Sequence, residues 1–558
     1  MSPHRKLRLE FYPTLTVILL GAVTLFHLWY SGSGAIDLAK DEAVYWEYSR
    51  RLDWGYYEKG PLTPYLIAAS TRLGGNSEFF VRLPAVLLAL GTAVIAYLFA
   101  KRLFSSDRAA FLAVAVLSVM PIYAVGSILM TIDTPFLFFW ALAIFALHKA
   151  IGSPQPSFAG QKMPPSNLSV KAASGSGDPE HRRSNAFWWS MLGIALGFGF
   201  LSAYKTIFLL PCIAVYILCS PRARAWWGRK EPFFALIWSG LLIMPMVVWN
   251  AQHGWISFRH TVANAQIAGF GAEIEPFTET FFGFVGSQLG IVSPLILVAL
   301  VFAVVRSGHL GLRGGRDEHL LLFSFSAPLL AFFLLWSLFR KVQANWPASA
   351  YFAATIALAG WAEEIYQKAH GFRRRYTLPA AFAVTLVPAL LIVTFGHFPS
   401  LLDVIGIDLP RKHDPTRRLQ GWSELGQAVG RVLQDGGGEE PVAIVSNRHE
   451  IASELAFYVP GQPHVFTINL RRRLSQHDLW GGLETFEGED VLFVTREGDK
   501  QRYGAVGGVP PEVLTACEGA EEVDVVRTFH RGRPGYNYSI FLCRGLRASR
   551  VRRVKIHY

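Results

Sequence analysis

The sequence predicts a polytopic α-helical membrane protein that carries a soluble α/β domain at its C-terminal end. Hydrophobic residues make up 51% of the 558 residues and charged residues only 17%, whereas a soluble chain carries about 25% charged residues. Apolar runs long enough to cross a bilayer recur between residues 11 and 395. The formal net charge of +12 could suggest a nucleic-acid binder, but the basic residues lie in turns between apolar runs, where they set topology.

The first span covers residues 11–30, which carry no charge and match the thickness of the hydrocarbon layer. This run is longer than the apolar part of a secretory signal, and no A-x-A cleavage pattern follows it. His4, Arg5, Lys6 and Arg8 precede it, so the positive-inside rule predicts a cytoplasmic N-terminus. Residues 31–80 then form the first outer loop.

About eleven spans are predicted, at residues 11–30, 81–104, 109–128, 135–151, 187–201, 207–219, 233–249, 281–305, 320–339, 347–365 and 378–395. Every densely basic short turn falls on the starting side of the membrane. Residues 152–184 are rich in Pro, Ser and Gly and are predicted to be a flexible cytoplasmic linker. Residues 1–396 would therefore form a transmembrane domain in a bacterial inner membrane.

Residues 397–558 have the composition of a soluble domain, and the span count places that domain in the periplasm. Apolar runs of β type at residues 442–445, 464–468, 490–494 and 538–543 alternate with polar or helical stretches such as residues 450–459, which favours an α/β layer. Cys517 and Cys543 both lie here, in a compartment that permits a disulfide. The sequence does not decide whether they pair, whereas Cys212 and Cys219 are predicted to be packing residues.

The residues that could do chemistry fall at the outer ends of spans or in outer loops, where one outward-facing site could gather them. They are Asp41, Glu42, Glu58, Lys59, Asp133, Lys205, His253, Lys341 and Asn345.

Several motifs resemble those of the GT-C fold glycosyltransferases, the group that holds the bacterial lipid A aminoarabinose and galacturonic acid transferases and the protein O-mannosyltransferases. The motifs are DEAVYW at 41–46, YYEKGPL at 56–62, RLPA at 82–85, MTIDTP at 130–135, WNAQHGWISF at 249–258, SQLGIVSP at 287–294, NWP at 345–347, GWSELG at 421–426 and ELAFYVPGQP at 454–463. They cover nearly the whole chain in the expected order.

The resemblance implies transfer of a sugar from a polyprenyl-phosphate donor to an envelope acceptor, which could be lipid A or core, another glycan or an exported protein. A single displacement would invert the anomeric carbon and would need a carboxylate as general base. A cation would take up the charge on the leaving phosphate.

The resemblance also assigns roles to individual residues. Asp41 matches the acidic residue of the first loop and would be the base, with Glu42 supporting it or touching the acceptor. Asp133 would bind sugar or acceptor hydroxyls. In the aminoarabinose transferases the lysine that matches Lys59 faces the carrier phosphate, and the glutamate that matches Glu58 lies near a metal. The expected substrate-binding set is Tyr45, Tyr57, Glu58, Lys59, Lys205, His253, Lys341 and Asn345.

Gly60 departs from the proline common at that position, which leaves the geometry next to Lys59 open. Glu58 and His253 are possible ligands of a divalent metal ion, but the spacing is a weak signal. A metal is expected to be optional or absent.

Each role has a structural alternative. Asp41 and Asp133 could cap helices, Lys59 could snorkel to the interface, and Lys205 and Lys341 could be interface anchors. The WNAQHGWISF run that contains His253 could belong to an aromatic belt. For the whole chain the alternatives are a lipid or sugar transporter or flippase, which would place charges near mid-membrane, and an envelope scaffold that binds glycan without chemistry.

Overall fold

The computed structural model describes residues 3–152, 179–264, 276–407, 414–435, 443–468, 474–497, 509, 511–530 and 533–551. Most of the predicted linker, residues 153–178, lies outside the described residues. The last part of the predicted linker belongs instead to a helix that begins at Pro179.

The first two thirds of the described chain are helical. The helices are α1 (Pro3–Gly32), α2 (Lys40–Ser49), α3 (Leu62–Gly74), α4 (Glu78–Phe104), α5 (Asp107–Val119), α6 (Pro121–Gly126), α7 (Asp133–Ile151), α8 (Pro179–Ser202), α9 (Leu209–Cys219), α10 (Pro221–Arg224), α11 (Pro232–Gln252), α12 (Ile256–Asn264), α13 (Phe277–Val292), α14 (Pro294–Leu312), α15 (Asp317–Ser324), α16 (Ala327–Trp336), α17 (Ala348–Lys368), α18 (Leu378–His397) and α19 (Ser400–Val404). A 3₁₀ turn at Tyr204–Phe208 precedes α9, and a π-helical turn at Arg373–Thr377 precedes α18.

The polytopic membrane class is confirmed, but the spans differ in detail from the prediction. Eight helical segments within the described ranges are long and apolar enough to cross a membrane. Predicted span 109–128 is divided into α5 and α6 because Pro121 donates no backbone hydrogen bond and holds Met120 extended. Predicted span 281–305 is divided into α13 and α14 at Ser293, whose φ is +81° and which precedes Pro294. Predicted span 207–219 is only the short α9.

The membrane helices pack through small side chains. Ala96, Ala110, Ala113, Ala143 and Ala353 are fully or almost fully buried in the main core, which also takes in α8 and α9. Small residues let helix backbones approach closely, and this close packing replaces the hydrophobic driving force that is absent within lipid. The resulting bundle of α4, α5, α7 and α17 is a rigid support for the loops at one end.

The C-terminal part is a mixed α/β layer, as predicted. Its elements are α20 (Trp422–Asp435), β1 (Ala443–Ser446), α21 (His449–Tyr458), β2 (Val465–Thr467), α22 (Gln476–Trp480), β3 (Val491–Arg496), α23 (Pro511–Ala516), β4 (Cys517–His530), β5 (Arg533–Leu546) and α24 (Ala548–Val551), with 3₁₀ turns at Pro415–Arg418 and Leu483–Phe486.

The sheet order is β2-β1-β3-β5-β4, in which β1 is parallel to β2 and β3, and β5 is antiparallel to β3 and β4. The strand β4 was not among those predicted from the sequence; it is an edge strand with four carboxylates among its first eight residues. A disulfide joins Cys517 at the start of β4 to Cys543 in β5, with the two Cα atoms 5.4 Å apart. The structure therefore answers the question of pairing that the sequence left open.

The first loop and the C-terminal layer share one hydrophobic core. The Trp46 indole of α2 meets the ring of Phe457 in α21 edge to face, with 4.9 Å between the ring centroids. Val44, Ile67 and Leu455 belong to the same buried cluster. Contacts between residues that are distant in sequence thus fix the position of α2, whose first turn carries the predicted base Asp41.

Candidate active site

Asp41 lies in the first turn of α2, where the positive end of the helix dipole favours a carboxylate. Its side chain is accessible at the wall of a cavity, although protein atoms surround it on most sides. This burial raises the pKa of Asp41; the nearby Lys59 ammonium opposes the rise, and the Glu58 and Asp133 carboxylates add to it. An accessible carboxylate with a raised pKa is suited to accept a proton from a hydroxyl.

Glu42, which was expected to support the base or touch the acceptor, does not face the same way as Asp41. Its side chain is fully buried and pairs with the Arg82 guanidinium at 3.1 Å. The same carboxylate accepts hydrogen bonds from the Met130 and Ala39 backbone N–H groups, each over 2.9 Å. Its oxygens are occupied and closed to solvent, so Glu42 holds the loop together, and its contact with the acceptor stays a prediction.

Asp133 is the centre of a second polar group, at the start of α7. The Lys205 ammonium donates to Asp133 Oδ1, and the Asn345 amide donates to Asp133 Oδ2 over 2.5 Å. Lys205 Nζ also lies 4.6 Å from the centroid of the Phe136 ring. Three residues more than sixty positions apart, each singled out from sequence, thus meet at one point.

The loop that carries Glu58 and Lys59 packs against the end of α8. Both side chains are half-buried, and both charges act on Asp41. A Cβ at Gly60 would overlap the backbone carbonyl of Leu201. The departure from proline therefore has a steric cause, since no side chain fits between this loop and α8.

Tyr45 and Tyr57, which the resemblance places among the substrate-binding residues, are both buried, and their contact with substrate stays a prediction. Tyr45 is 3% exposed and forms an apolar wall behind Asp41; burial raises its pKa well above the usual value, so its hydroxyl stays neutral. Tyr57 is 4% exposed, its ring lies edge-on to His260, and its backbone N–H donates to Gln476 over 2.7 Å. Both residues shape the site through packing.

His253 stacks on Trp249 with 4.0 Å between the ring centroids, and the Trp249 indole donates to Asp53 over 2.8 Å. This contact ties the predicted outer loop after α11 to the first loop and matches the aromatic alternative. Lys341 is exposed, four residues before Asn345. A role in substrate binding for His253 or for Lys341 stays a prediction.

The part of the chain that the structure describes holds no group of three His, Cys, Asp or Glu side chains placed to bind a metal ion. Glu58 and His253 therefore do not by themselves make a site that fits a divalent cation, because such ions take several oxygen or nitrogen ligands.

The residues that hold α2 in place were not among those predicted from the sequence. Arg82 binds the Ile36 and Asp37 carbonyls in addition to Glu42, with N–O distances of 3.2 and 2.7 Å. Asp37 in turn accepts the backbone N–H of Trp422 over 2.8 Å. An arginine near the start of an apolar span was the available signal, because a buried guanidinium requires a partner.

A second buried polar group joins the other end of α2 to the C-terminal layer. The Ser453 hydroxyl donates to Glu47 over 2.5 Å, and His477 Nε2 lies 3.1 Å from the same carboxylate. Burial alone would raise the pKa of Glu47, but the adjacent His477 and Ser453 lower it. The ELAFYVPGQP motif contributes through Tyr458, which donates to Glu78 over 2.5 Å.

Comparison with known proteins finds similarity to membrane glycosyltransferases. The family model for dolichyl-phosphate-mannose-protein mannosyltransferases matches residues 58–159 and 180–249. A lipid A galacturonosyltransferase of Rhizobium johnstonii is 27% identical over 439 residues, which cover 78% of this chain and 80% of that protein. An undecaprenyl phosphate-alpha-4-amino-4-deoxy-L-arabinose arabinosyl transferase of Pseudomonas aeruginosa is 26% identical over 171 residues, 30% of this chain and 26% of that protein.

The crystal structure of apo ArnT from Cupriavidus metallidurans superimposes with a TM-score of 0.57 at 14% sequence identity. The match covers 95% of this chain and 98% of that one. At this identity the likeness shows the fold alone, and it extends over the membrane part and the C-terminal layer together.

Proposed function

We propose that this chain, a multi-pass membrane protein of the GT-C fold, is an inverting glycosyltransferase that moves a sugar from a polyprenyl-phosphate donor to an envelope acceptor. The observation that carries the proposal is the gathering of Asp41, Glu58, Lys59 and Asp133 within electrostatic range at one end of the bundle. These four residues come from three segments, and this convergence supports a catalytic site more than the structural alternatives for each residue taken singly.

The choice of donor rests on the relatives. One is named as a transferase that uses an undecaprenyl-phosphate-linked aminoarabinose, and another as a lipid A galacturonosyltransferase. We place the donor phosphate against Lys59, whose ammonium is half-buried beside Asp41. A compact cation there would stabilise the negative charge on the departing phosphate, so the leaving group would need no general acid.

The reaction is a single displacement. The acceptor hydroxyl oxygen attacks the anomeric carbon, the bond from that carbon to the phosphate oxygen breaks, and Asp41 takes the hydroxyl proton. Asp133, held by Lys205 and Asn345, would accept hydrogen bonds from sugar hydroxyls and fix the orientation of the ring.

We also propose the orientation: an inner-membrane protein with a cytoplasmic N-terminus and a periplasmic C-terminal domain. The basic residues before the first span support it. Single cysteines introduced near Ser33 and Glu484 should react with an impermeant thiol reagent added from the periplasm, and one near Ser174 only from the cytoplasm. Labelling near Ser33 from the cytoplasm would contradict this orientation.

The function is tested by mass spectrometry of envelope glycolipids and exported proteins from a strain that lacks the protein. We expect one sugar to be missing from one acceptor, and the purified protein to restore it when supplied with the polyprenyl-phosphate sugar. If purified protein moves the lipid across vesicles without forming a glycosidic bond, it is a transporter. If the strain lacks no sugar and the protein only binds glycan, it is a scaffold.

A further inference from the structure

The turn between α17 and α18, residues 368–377, carries four cationic side chains. Lys368, Arg373, Arg374 and Arg375 are all exposed. Within the described ranges, none of them lies within salt-bridge distance of a carboxylate, although other cations at this end of the bundle do. Like charges in one short turn repel each other, so the turn attracts an anion from outside the chain.

The carboxylates next to the turn are already paired with cations from other helices. Arg108 at the start of α5 donates to both oxygens of Glu363, over 2.6 and 2.7 Å. Glu364 is paired with Arg306 of α14 and with Arg316, whose guanidinium lies 3.3 Å from it. The two acidic residues near the end of α17 are therefore occupied, and the charge of the turn is left uncompensated by them.

Aromatic rings surround the arginines of the turn. The guanidinium carbons of Arg108 and Arg374 lie 3.3 and 4.5 Å from the centroid of the Tyr366 ring. Phe372 and Tyr376 flank the run of three arginines, with 5.1 Å between their ring centroids, and they are 75% and 51% exposed. Exposed aromatic rings next to basic side chains are typical of the level of the lipid head groups.

The turn lies at the opposite end of the bundle from the candidate active site. Helix α17 has 21 residues, which makes it about 31 Å long and able to cross the hydrocarbon layer. Asn345, just before this helix, contacts Asp133. After the turn, α18 exposes Val384, Val387 and Leu391, whose spacing places them along one face. A cationic turn followed by an exposed apolar face fits a ligand with an anionic head and acyl chains.

We propose that the turn between α17 and α18 binds the head group of an anionic phospholipid. Arg373 and Arg375 hold its phosphate, and its acyl chains lie along the exposed apolar face of α18. Charge complementarity selects an anionic head, and the apolar face that continues from the turn selects a lipid over a soluble anion. The bound lipid stabilises the junction of the two helices. The inference is independent of the proposed function, because no residue of the turn belongs to the candidate active site.

Arg316 is a matched control for Arg375. Both are exposed arginines at the same end of the bundle, but Arg316 already has the Glu364 carboxylate as a partner. Arg316→Gln leaves Glu364 paired with Arg306. The variants Arg375→Gln and Arg316→Gln therefore remove the same charge from the protein, and a general attraction to anionic lipid would respond equally to both.

The test measures the Kd of two lipids for the full-length protein in detergent by native mass spectrometry. Dioleoyl phosphatidylglycerol is the anionic probe, and dioleoyl phosphatidylcholine has the same chains without a net charge. The anionic lipid should bind more tightly. Arg375→Gln should weaken its binding about fivefold, and Arg373→Gln combined with Arg375→Gln about 25-fold, since each basic side chain near a lipid head contributes about a factor of five. Arg316→Gln should leave this Kd unchanged. The Kd of phosphatidylcholine and the melting temperature without lipid should be the same in all variants.

Equal weakening by Arg316→Gln and Arg375→Gln, or no weakening by the double variant, would overturn the site. Inorganic phosphate and a poly-glutamate peptide are the competing soluble anions. If either displaces phosphatidylglycerol at a concentration below the Kd of the lipid, the turn is a site for a free anion or an acidic protein segment, and the lipid is the wrong ligand. The measurements involve no sugar donor, so failure of glycosyl transfer would leave their outcome unchanged.

Discussion

Asp41 and Glu42 are consecutive residues of α2, but their carboxylates point to different sides of the helix and have different surroundings. Asp41 is accessible at a cavity wall among charges of both signs. Glu42 is fully buried, and Arg82 and two backbone N–H groups occupy its oxygens. The comparison shows that one acidic pair in a sequence motif can combine a residue available for chemistry with a residue that only positions it.

Contacts on the buried side of α2 fix the position of the helix, and so fix the position of Asp41 on its accessible side. The C-terminal layer holds the helix through Phe457 near its middle and through Ser453 and His477 at Glu47. A reactive carboxylate works best when packing and hydrogen bonds behind it fix its position. The C-terminal domain therefore helps to position the helix that carries Asp41.

The largest expected effect is on Asp41. Asp41→Asn keeps the size of the side chain but removes the proton acceptor, so turnover should fall by about two to four orders of magnitude. Donor affinity and melting temperature should stay close to those of the parent. The transfer rate is measured in nanodiscs with a polyprenyl-phosphate sugar. A rate near that of the parent would show that Asp41 is not the base, and that neither carboxylate of the pair takes the proton.

On the buried side the expected loss is one of stability. Arg82→Ala leaves Glu42 as an unpaired buried charge, which typically costs about 3–5 kcal/mol, so the melting temperature should fall clearly. Arg547→Ala is the control, because its pair with Glu518 is largely exposed and such pairs contribute about 0–1 kcal/mol. Equal melting temperatures for the two variants would contradict a positioning role for the Glu42–Arg82 pair.

A smaller effect on transfer is expected for substitution of Lys59, which lies in the loop between α2 and α3. Lys59→Ala should weaken donor binding and slow transfer, together about 10- to 1000-fold in kcat/KM, because one cation leaves the phosphate site. Lys59→Arg should rescue only partly, since the planar guanidinium cannot occupy the position of a compact ammonium. Unchanged donor affinity and rate in Lys59→Ala would make this lysine an interface anchor and move the phosphate site to Lys205 or Lys341.

Glu454 sharpens the contrast between paired and unpaired carboxylates through an effect that depends on pH. It is 1% exposed, and both its oxygens lack hydrogen-bond partners within the described ranges. Burial raises the pKa of Glu454 well above the usual 4.5, and the nearby Asp37 and Glu42 charges add to the rise. The folded protein thus retains a proton that the unfolded chain releases near the usual pKa.

Stability from this group is fully present below the unfolded pKa and is lost as the pH rises through the folded pKa, by about 1.4 kcal/mol per pH unit across that window. Glu454→Gln does not ionise, so its melting temperature should exceed that of the parent at pH 8 and approach it near pH 4.5. Parallel melting curves for the two proteins over this range would show that Glu454 ionises freely.

The sequence was sufficient to predict the membrane class and the gathering of several polar residues at one end of the helical bundle. Long apolar runs and basic turns give signals that need no knowledge of tertiary contacts. The breaks at Pro121 and Pro294 also had a local signal, the proline itself, but hydropathy alone joined the helices across them. The edge strand β4 was missed because its many charged residues give no apolar alternation.

Roles that depend on a distant partner could not be predicted. Glu42 is structural because Arg82, forty positions away, reaches it. Tyr57 is buried because the C-terminal layer covers it through Gln476. The meeting of Asp133, Lys205 and Asn345 is likewise a product of helix packing, so sequence could place the three residues on one side of the membrane but could not give their contacts.

The most direct test of the central claim is the pH dependence of single-turnover transfer at saturating donor. With Asp41 as the base, the parent rate should fall about tenfold per pH unit on the acid side. That limb should lie above the ordinary pKa of 3.8, because burial raises the pKa of Asp41. In Asp41→Asn the slow residual rate should be flat over the same range. An acid limb that persists unchanged in Asp41→Asn would show that another group accepts the proton, and would contradict the account.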